Sequence, residues 1–281
     1  MTALRQAEPL FEEVCSVDFL KFSFGGRGYQ EQLYDSIAKT DALAGVKVEC
    51  LSFPSDGAVN KVVWVTHNFG FLGGSLGCAE GEKITRAFEY GLKHGLPVVV
   101  QCRSGGARMQ EGTSSLMQMA KVAVAVEALH QAKLPFIAVL NDPTYGGVSA
   151  SYAMQADIRI ALSDARIGFA GPAVILNTMC EADQTKFDKQ CPADFQCAQY
   201  VLDHGQIDMV FEVSPTAVET QNRVEALVNQ ITSTLLSGKN ARTASPVSGL
   251  FAEDATNEDK QAAFNYTRSR AMDRWHLSLI L

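Results

Sequence analysis

The stretch PVVVQCRSGGARMQEG, residues 97–112, joins an apolar run to the start of a helical pattern through two adjacent glycines. The run at 98–100 is typical of a buried strand. Beyond Gly105 and Gly106, apolar residues recur at helical spacing, at Leu116, Met119, Ala123 and Val126. The stretch therefore predicts a strand that passes into a helix through a glycine pair.

The same order of elements precedes this stretch. Residues 62–65, VVWV, are β-prone, and Gly73 and Gly74 follow them. Residues 76–94 then predict a helix with one apolar face, formed by Ile84, Phe88, Gly91 and Leu92.

A third unit follows downstream. Residues 135–140, PFIAVL, predict a strand that leads to Gly146 and Gly147, and residues 148–154 predict a short helix. Three strand, glycine and helix units in succession favour an α/β fold with a largely parallel sheet and right-handed crossovers.

The segments before and after these units are predicted to add further strands to the sheet. Residues 46–65 have the pattern of a β-hairpin with Asp56 and Gly57 at its turn. Residues 158–162 and 165–171 predict two further short strands.

The chain is expected to divide into two regions. Residues 1–238 form the folded domain, and its last helix begins with Ser214 as N-cap and Pro215 as first helical residue. Residues 239–281 are predicted to be a polar surface linker followed by a helical tail that docks on this chain or on a partner.

Composition excludes several classes of protein. Of 281 residues, 47% are hydrophobic and 20% charged, which is enough for a large core. A net charge of −7 argues against nucleic acid as a partner, since phosphate contacts need a basic face. No apolar run reaches the roughly 18 residues of a membrane span, and the first residues lack a secretory pattern. We therefore expect a cytoplasmic protein.

Seven cysteines are scattered along the chain, and no two of them have C-x-x-C spacing. We therefore predict no bound metal and reduced, mostly buried thiols. Cys102, close to the glycine pair, is a possible nucleophile, but its position at the end of an apolar run favours a buried strand residue.

The glycine pairs have two interpretations. Glycine allows tight turns. It also allows a ligand to approach the first amides of a helix, which have no acceptor within the helix. The helix dipole favours negative charge at this end, so these amides suit an oxygen that becomes negatively charged during a reaction. Three pairs at equivalent positions favour the second interpretation.

Other chemistries have weaker support. The segment GFLGGSLG, residues 70–77, lacks the Gly-Lys-Ser/Thr of a phosphate loop and the G-x-G-x-x-G dinucleotide pattern. The chain also lacks the G-x-S-x-G motif that would support a serine hydrolase of ClpP-like architecture. Its candidate nucleophiles, bases and orienting acids are Ser104, Ser149, Ser151, His67, His94, His130, His204, Asp142 and Asp157.

Five blocks of the sequence resemble a known protein family. The blocks SGGARMQEG (104–112), SLMQMAK (115–121), NDPTYGGVSASYAM (141–154), IGFAGPAVI (167–175) and GQIDMVFE (205–212) resemble the carboxyltransferase β subunit of bacterial acetyl-CoA carboxylase, in the crotonase-like superfamily. The likeness runs from about residue 20 to 215, and the chain resembles the family without its amino-terminal zinc ribbon.

The resemblance implies a crotonase/ClpP-like spiral of repeated ββα units. It implies transfer of carboxyl from carboxybiotin, on a biotin carboxyl carrier protein, to a CoA thioester, at a site shared with a carboxyltransferase α-type subunit. Gly105 and Gly106 would supply amides at the oxyanion site on the CoA side, and Gly146 and Gly147 would supply amides near the thioester or the biotin carbonyl. Implied substrate-binding residues are Gly73, Gly74, Arg103, Ser104, Ala107, Arg108, Tyr145, Phe169, Gly171 and Pro172.

Departures from the family keep alternatives open. Ala173 and Cys197 stand where the family often has arginine, and Arg103 and Tyr145 are unusual at their positions. A biotin-independent decarboxylase of malonyl thioesters, on CoA or acyl carrier protein, could use the same amides. A third hypothesis is that the chain is a noncatalytic scaffold subunit. Arg108 could reach a CoA phosphate, although pairing with Glu111 is favoured.

Overall fold

A mixed sheet of eight strands forms the centre of the computed structural model, which describes residues 5–55 and 58–236. The described strands are β1 (Gln6–Leu10), β2 (Ser23–Phe24), β3 (Arg27–Gly28), β4 (Val46–Ser55), β5 (Ala58–His67), β6 (Val98–Ser104), β7 (Phe136–Tyr145), β8 (Ile158–Leu162), β9 (Ile167–Gly168) and β10 (Met209–Phe211). In the sheet they lie in the order β1-β4-β5-β6-β7-β8-β10, with β9 beside the end of β7, and β2 pairs with β3 separately.

Eight α-helices accompany the strands in the described part of the chain. They are α1 (Tyr29–Thr40), α2 (Cys78–His94), α3 (Thr113–Gln131), α4 (Gly146–Ser149), α5 (Pro172–Thr178), α6 (Gln184–Gln190), α7 (Ala198–Asp203) and α8 (Ala217–Leu236). Short 3₁₀ turns lie at Leu72–Gly74, Met109–Glu111 and Tyr152–Gln155.

The repeated unit is confirmed. Strands β5, β6, β7, β8 and β10 are parallel neighbours, and α2 and α3 connect β5 to β6 and β6 to β7. Residues 98–102 of β6 are buried without alternation, as expected when both faces of a parallel sheet are covered. The α/β class predicted from the three units is therefore correct.

The antiparallel end of the sheet matches the predicted hairpin. Val46 faces His67 and Ser55 faces Ala58 across β4 and β5. The predicted turn residues, Asp56 and Gly57, lie outside the described residues. So do residues 239–281, to which we assigned a linker and a helical tail.

The predicted apolar face of α2 is only partly correct. Ile84 and Phe88 are fully buried, and Gly91 lets the helix approach β6, because an added Cβ would lie 2.7 Å from a methyl group of Val98. Leu92 is 39% exposed and does not belong to this face.

The predicted face of α3 is rotated from the observed one. Leu116 is 48% exposed, whereas Val122, Ala125, Val126 and Leu129 pack into the core. This helix has apolar residues on every side, Val124 at 71% exposure among them, so spacing alone does not determine which side faces the sheet.

The last described helix begins later than predicted. Thr216 is its cap: its Oγ1 accepts from the Glu219 N–H at 3.2 Å. Ser214 instead donates its backbone N–H to Thr220 Oγ1 at 2.9 Å, so the predicted Ser214 cap is wrong by two residues.

A second, smaller apolar cluster lies apart from the main core. Tyr29 and Leu33 of α1 and Phe71 form it, each with at most 1% of its surface exposed. It places the N-terminal segment beside the 3₁₀ turn at Leu72–Gly74, which adjoins the candidate site.

The cysteines are free, as predicted, among the described residues. Only Cys50, Cys102 and Cys180 are buried, however, and Cys15 is exposed. The prediction of mostly buried thiols is therefore wrong.

Candidate active site

Two of the glycine pairs meet at the carboxyl ends of neighbouring strands. Ser104 at the end of β6 pairs with Thr144 of β7, so the loops that follow lie side by side. Gly106 and Gly146 both have positive φ, at 122° and 58°. An added Cβ on Gly146 would lie 2.9 Å from Gly106 Cα. These two glycines are required for conformation and for close backbone approach.

Three of the four amides assigned from the sequence are already bonded inside the protein. The Gly105 N–H donates to the Gly73 carbonyl at 2.9 Å, and the Gly146 N–H donates to the Phe169 carbonyl at 3.0 Å. The Gly106 N–H donates to Ser104 Oγ at 3.1 Å. The expectation that Gly105, Gly106 and Gly146 present free donors is therefore wrong.

The available donors are Gly147, which is the fourth amide assigned from the sequence, and Ala107. Leu76 donates its N–H to the Gly106 carbonyl at 2.8 Å and accepts from the Arg108 N–H at 2.9 Å. Successive amides along an extended strand point to opposite sides, so the Ala107 N–H points away from Leu76. Gly147 lies in the first turn of α4, where an N–H has no acceptor within the helix.

These two donors border one small space. An added Cβ on Gly147 would lie 3.4 Å from the Ala107 nitrogen, and one on Gly106 would lie 3.6 Å from the Gly147 nitrogen. Within the described residues neither N–H has a hydrogen-bond acceptor. The arrangement has the form of an oxyanion hole: two convergent backbone donors without protein acceptors.

A groove of about 330 Å³ is lined by Ala107, one of these two donors. Gly73 and Gly105 also line it, and the predicted contact of Gly73 and Ala107 with substrate stays a prediction. Its apolar lining is provided by Phe22, Phe24, Leu72 and Met109. Such a surface suits the acyl and thioester part of a ligand and disfavours water near the amides.

Gly74 has a packing role next to the groove. Its φ is positive, and an added Cβ would overlap the Arg103 carbonyl oxygen at 2.1 Å. This glycine therefore allows the turn at Leu72–Gly74 to lie against the end of β6.

The remaining predicted contacts surround Gly146. Phe169 accepts the Gly146 N–H through its carbonyl, while its side chain is 79% exposed. The ring of Tyr145 packs on Gly171, where an added Cβ would lie 3.4 Å from Tyr145 Cε2. Pro172 is the first residue of α5. These residues lie near Gly146, and their contact with substrate stays a prediction.

Arg103 lies outside the groove. Its Nε donates to the Asp142 carbonyl at 2.6 Å, and its guanidinium lies 5.1 Å from the centre of the Phe69 ring. It borders a separate cavity of about 730 Å³, which shares no lining residue with the groove. The predicted contact of Arg103 with substrate has no support in this arrangement.

Arg108 is not available to a ligand through its side chain. The side chain has no exposed surface, and its guanidinium pairs with Glu111 at 3.3 Å and with Glu80 at 2.8 Å. The favoured pairing with Glu111 is confirmed, and the alternative contact with a CoA phosphate is contradicted by burial. Sequence reasoning missed Glu80, although its position three residues after Gly77, at the start of α2, is typical of a capping acid.

The carboxylate of Glu80 is ionised in this setting. Burial alone would raise its pKa, but the Arg108 guanidinium and the Gly45 N–H outweigh burial and hold the pKa below its ordinary value. Arg108 accordingly keeps its charge although it is buried.

Among the described residues, none of the candidate serines of the serine-hydrolase alternative hydrogen-bonds to a candidate histidine. Ser104 Oγ accepts the Gly106 N–H, and Ser149 Oγ donates to the Gly168 carbonyl at 2.6 Å. His130 lies 3.6 Å from Asp157, away from these hydroxyls. Cys102 is buried, and burial raises the pKa of its thiol, so it remains protonated.

His67 is a buried neutral imidazole. Its Nδ1 lies 3.3 Å from the Gly74 carbonyl, which can only accept, so Nδ1 carries the proton and Nε2 accepts from the Tyr152 hydroxyl at 2.9 Å. Burial lowers the pKa of His67 to about 4, although the Gly74 carbonyl and the Glu80 charge act in the opposite direction.

This depressed pKa predicts a pH dependence of stability. The unfolded chain binds the proton near pH 6.5, so the contribution of neutral His67 is complete above that pH and is lost as the pH falls towards 4. In urea unfolding, His67→Asn should remove about 2 kcal/mol of the stability loss between pH 7 and pH 4.5. The exposed His94→Asn should keep the wild-type pH dependence, and identical profiles for all three proteins would contradict the assignment.

The described residues contain neither a metal-binding cluster nor a membrane-spanning helix. No group of three or more His, Cys, Asp or Glu side chains there is arranged to hold a metal ion. None of the helices in that part of the chain has the length and apolar character needed to span a membrane.

A match to a known family of protein domains shows which family this chain belongs to. A family model of the carboxyl transferase domain matches residues 55–259. The chain belongs to the carboxyl transferase family. That match includes both loops that present Ala107 and Gly147.

Named relatives in this family are carboxylase subunits. The acetyl-coenzyme A carboxylase carboxyl transferase subunit beta of Pelobacter propionicus is 45% identical, over 69% of this chain and 64% of the relative. That of Pedobacter heparinus is 42% identical, over 74% of this chain and 69% of the relative. The match therefore spans a little under two thirds of the Pelobacter protein.

Among solved structures, this carboxyl transferase chain is similar to transcarboxylase 12S, determined with hydrolysed methylmalonyl-coenzyme A bound. The TM-score is 0.54 at 27% identity, and the match covers 68% of this chain and 33% of the other. The likeness confirms the predicted crotonase-type fold.

Proposed function

We propose that this chain is the β-type subunit of the carboxyltransferase of a biotin-dependent acetyl-CoA carboxylase. The observation that carries the proposal is the pair of convergent N–H donors of Ala107 and Gly147 beside an apolar groove. The names of its relatives support transfer of carboxyl over biotin-independent decarboxylation.

The donors suit the charge that develops in this reaction. Removal of a proton from the α-carbon of a CoA thioester places negative charge on the thioester oxygen, which two fixed N–H groups stabilise. These amides are oriented before reaction by β6, β7 and their glycines, so little reorganisation is needed. The apolar side chains that line the groove, Phe24 and Met109 among them, give the thioester a nonpolar surface to lie against.

Carboxybiotin is a substrate that arrives on a separate carrier protein and supplies the carboxyl group. The N–C bond of carboxybiotin breaks and releases CO₂, and the biotin nitrogen that is left takes the proton from the α-carbon of the thioester. The resulting enolate carbon forms the new C–C bond with the CO₂. The protein's own contribution is to hold the enolate oxygen. We assign no ionising side chain of the described residues to the proton transfer.

Further components belong to this proposal. A carboxyltransferase α-type subunit would close the site, and a biotin carboxyl carrier protein would deliver the carboxyl group. Acyl carrier protein is a partner only if the substrate is a carrier-bound thioester. The free thiols of the described residues support a reducing compartment, and we infer a cytoplasmic location.

A reconstituted assay tests the function. The chain, a candidate α-type subunit and a carboxylated biotin carrier are mixed with acetyl-CoA, and malonyl-CoA formation is followed by label from carboxybiotin. Formation that requires both the subunit and the biotin supports the proposal. Release of CO₂ from malonyl-CoA without biotin would establish the decarboxylase instead, and a complex with neither activity would favour a scaffold.

A further inference from the structure

We propose that Arg108 is a positioning residue for the Ala107 N–H, and that Ser16 and Tyr29 of the N-terminal segment help to hold it in place. This inference rests on the proposed function, since it concerns the donor assigned to the enolate oxygen. It gives the segment before the sheet a role in the geometry of the site.

The guanidinium of Arg108 uses all three of its nitrogens as donors. Nε donates to Ser75 Oγ at 3.0 Å, and Nη2 donates to the Ser75 carbonyl at 2.8 Å. Nη1 lies within 3.0 Å of Ser16 Oγ and 3.2 Å of the Tyr29 hydroxyl, in addition to its contact with Glu111. A planar group bonded along every edge has one orientation.

The two acids are themselves fixed by backbone donors. Glu80 accepts from the Gly45 N–H at 2.6 Å and from the Gly77 N–H at 3.0 Å. Glu111 accepts from the Cys78 N–H at 2.6 Å. The amides of Gly77 and Cys78 belong to the start of α2, where the helix dipole favours negative charge. Arg108 is thereby anchored to the end of a seventeen-residue helix.

The N-terminal segment contributes the remaining contacts. Tyr29 is fully buried and donates its hydroxyl to Glu111 Oε1 at 2.7 Å. Ser16 donates to Glu80 Oε1 at 3.2 Å. The Phe71 ring, which packs with Tyr29, lies 5.5 Å from the Arg108 guanidinium. One apolar cluster and two hydroxyls therefore connect this segment to Arg108.

The connection from the guanidinium to the donor is short. Arg108 directly follows Ala107, and its side chain holds Ser75, which directly precedes Leu76. Leu76 makes the two backbone hydrogen bonds that bracket Ala107. A displaced guanidinium would therefore move the two loop segments, at Leu76 and at Ala107, that orient the Ala107 N–H.

The side of the cluster that faces Gly77 is closely packed. An added Cβ on Gly77 would lie 2.6 Å from Glu111 Oε1 and 2.8 Å from Arg108 Nη1. The cluster is packed on this side by backbone, so its geometry is set by its hydrogen bonds.

The variant that tests this inference is Tyr29→Phe, which removes one hydroxyl and keeps the ring in its apolar cluster. Tyr34→Phe is the matched control, because Tyr34 lies on the same helix and is 63% exposed. Two readouts are compared in both variants and the wild type: amide hydrogen exchange of peptides covering residues 104–112, and kcat and KM for acetyl-CoA in the reconstituted complex.

We expect Tyr29→Phe to accelerate exchange in residues 104–112 and to lower kcat roughly tenfold with KM changed less than about twofold. Tyr34→Phe should match the wild type in both readouts. Arg108→Lys, which keeps the charge but loses the planar fork, should lower kcat further.

Unchanged exchange and unchanged kcat in Tyr29→Phe would overturn the inference, and so would a rise in KM at constant kcat. Faster exchange without any change in kcat would also overturn it, because the loop would then move without affecting the donor. If the wild-type complex transfers no carboxyl at all, the proposed function fails. The exchange experiment still decides whether Tyr29 orders the loop.

Discussion

Replacement of Gly147 by alanine should lower kcat/KM for carboxyl transfer by about 100- to 1,000-fold. The added methyl would lie 3.4 Å from the Ala107 nitrogen, between the two proposed donors. It would also meet Met119 Sδ at 3.2 Å, a contact that a flexible thioether can relieve. Gly147 does not have a positive φ, so the backbone accepts alanine. The fold should therefore remain while the site is blocked.

The measurement is steady-state transfer to acetyl-CoA, with thermal unfolding of the same preparations. Gly105→Ala is the informative comparison, because its methyl would meet nothing closer than the Gly73 carbonyl at 3.7 Å and its N–H is already bonded. We expect a loss of only a few-fold there. Equal losses in the two variants, or wild-type activity in Gly147→Ala, would show that the donors are not those of Ala107 and Gly147.

Replacement of Arg108 by methionine should reduce the free energy of unfolding by about 3–5 kcal/mol. The change leaves the carboxylates of Glu80 and Glu111 buried without their cation. A loss of this size is a large fraction of the stability of a typical domain, so the variant should be partly unfolded at ordinary growth temperatures.

Urea unfolding of purified proteins measures this effect. Arg103→Met is the matched control, because Arg103 is exposed and makes no salt bridge among the described residues, and its loss should stay within about 0.5 kcal/mol. A loss below about 1 kcal/mol in Arg108→Met would mean that the acids find other partners or take up protons. The buried cluster would then not stabilise the loop as described.

Much of the fold follows from local pattern. Apolar runs at 62–65, 98–100 and 135–140 each became a strand of the parallel sheet, because uninterrupted apolar residues suit a strand covered on both faces. The glycines that follow marked where strand gives way to turn or helix. The family resemblance agreed with this pattern and was confirmed by the match over residues 55–259.

Other features depended on more than spacing. The buried face of α3 was misassigned because apolar residues surround the helix, and only its neighbours determine which side is covered. The cap of α8 was misassigned because Ser214 and Thr216 are both good caps, and the amide of Ser214 bonds Thr220 instead.

By itself the sequence determined that backbone amides after β6 and β7 form the candidate site, because adjacent glycines at equivalent positions allow both the turn and the approach of a ligand. Only the tertiary structure decided which amides are donors. Gly105 and Gly146 bond to the carbonyls of Gly73 and Phe169, which lie far away along the chain, while Ala107 and Gly147 are left without acceptors. The direction of an N–H depends on what its neighbours bond to, and long-range contacts set those bonds.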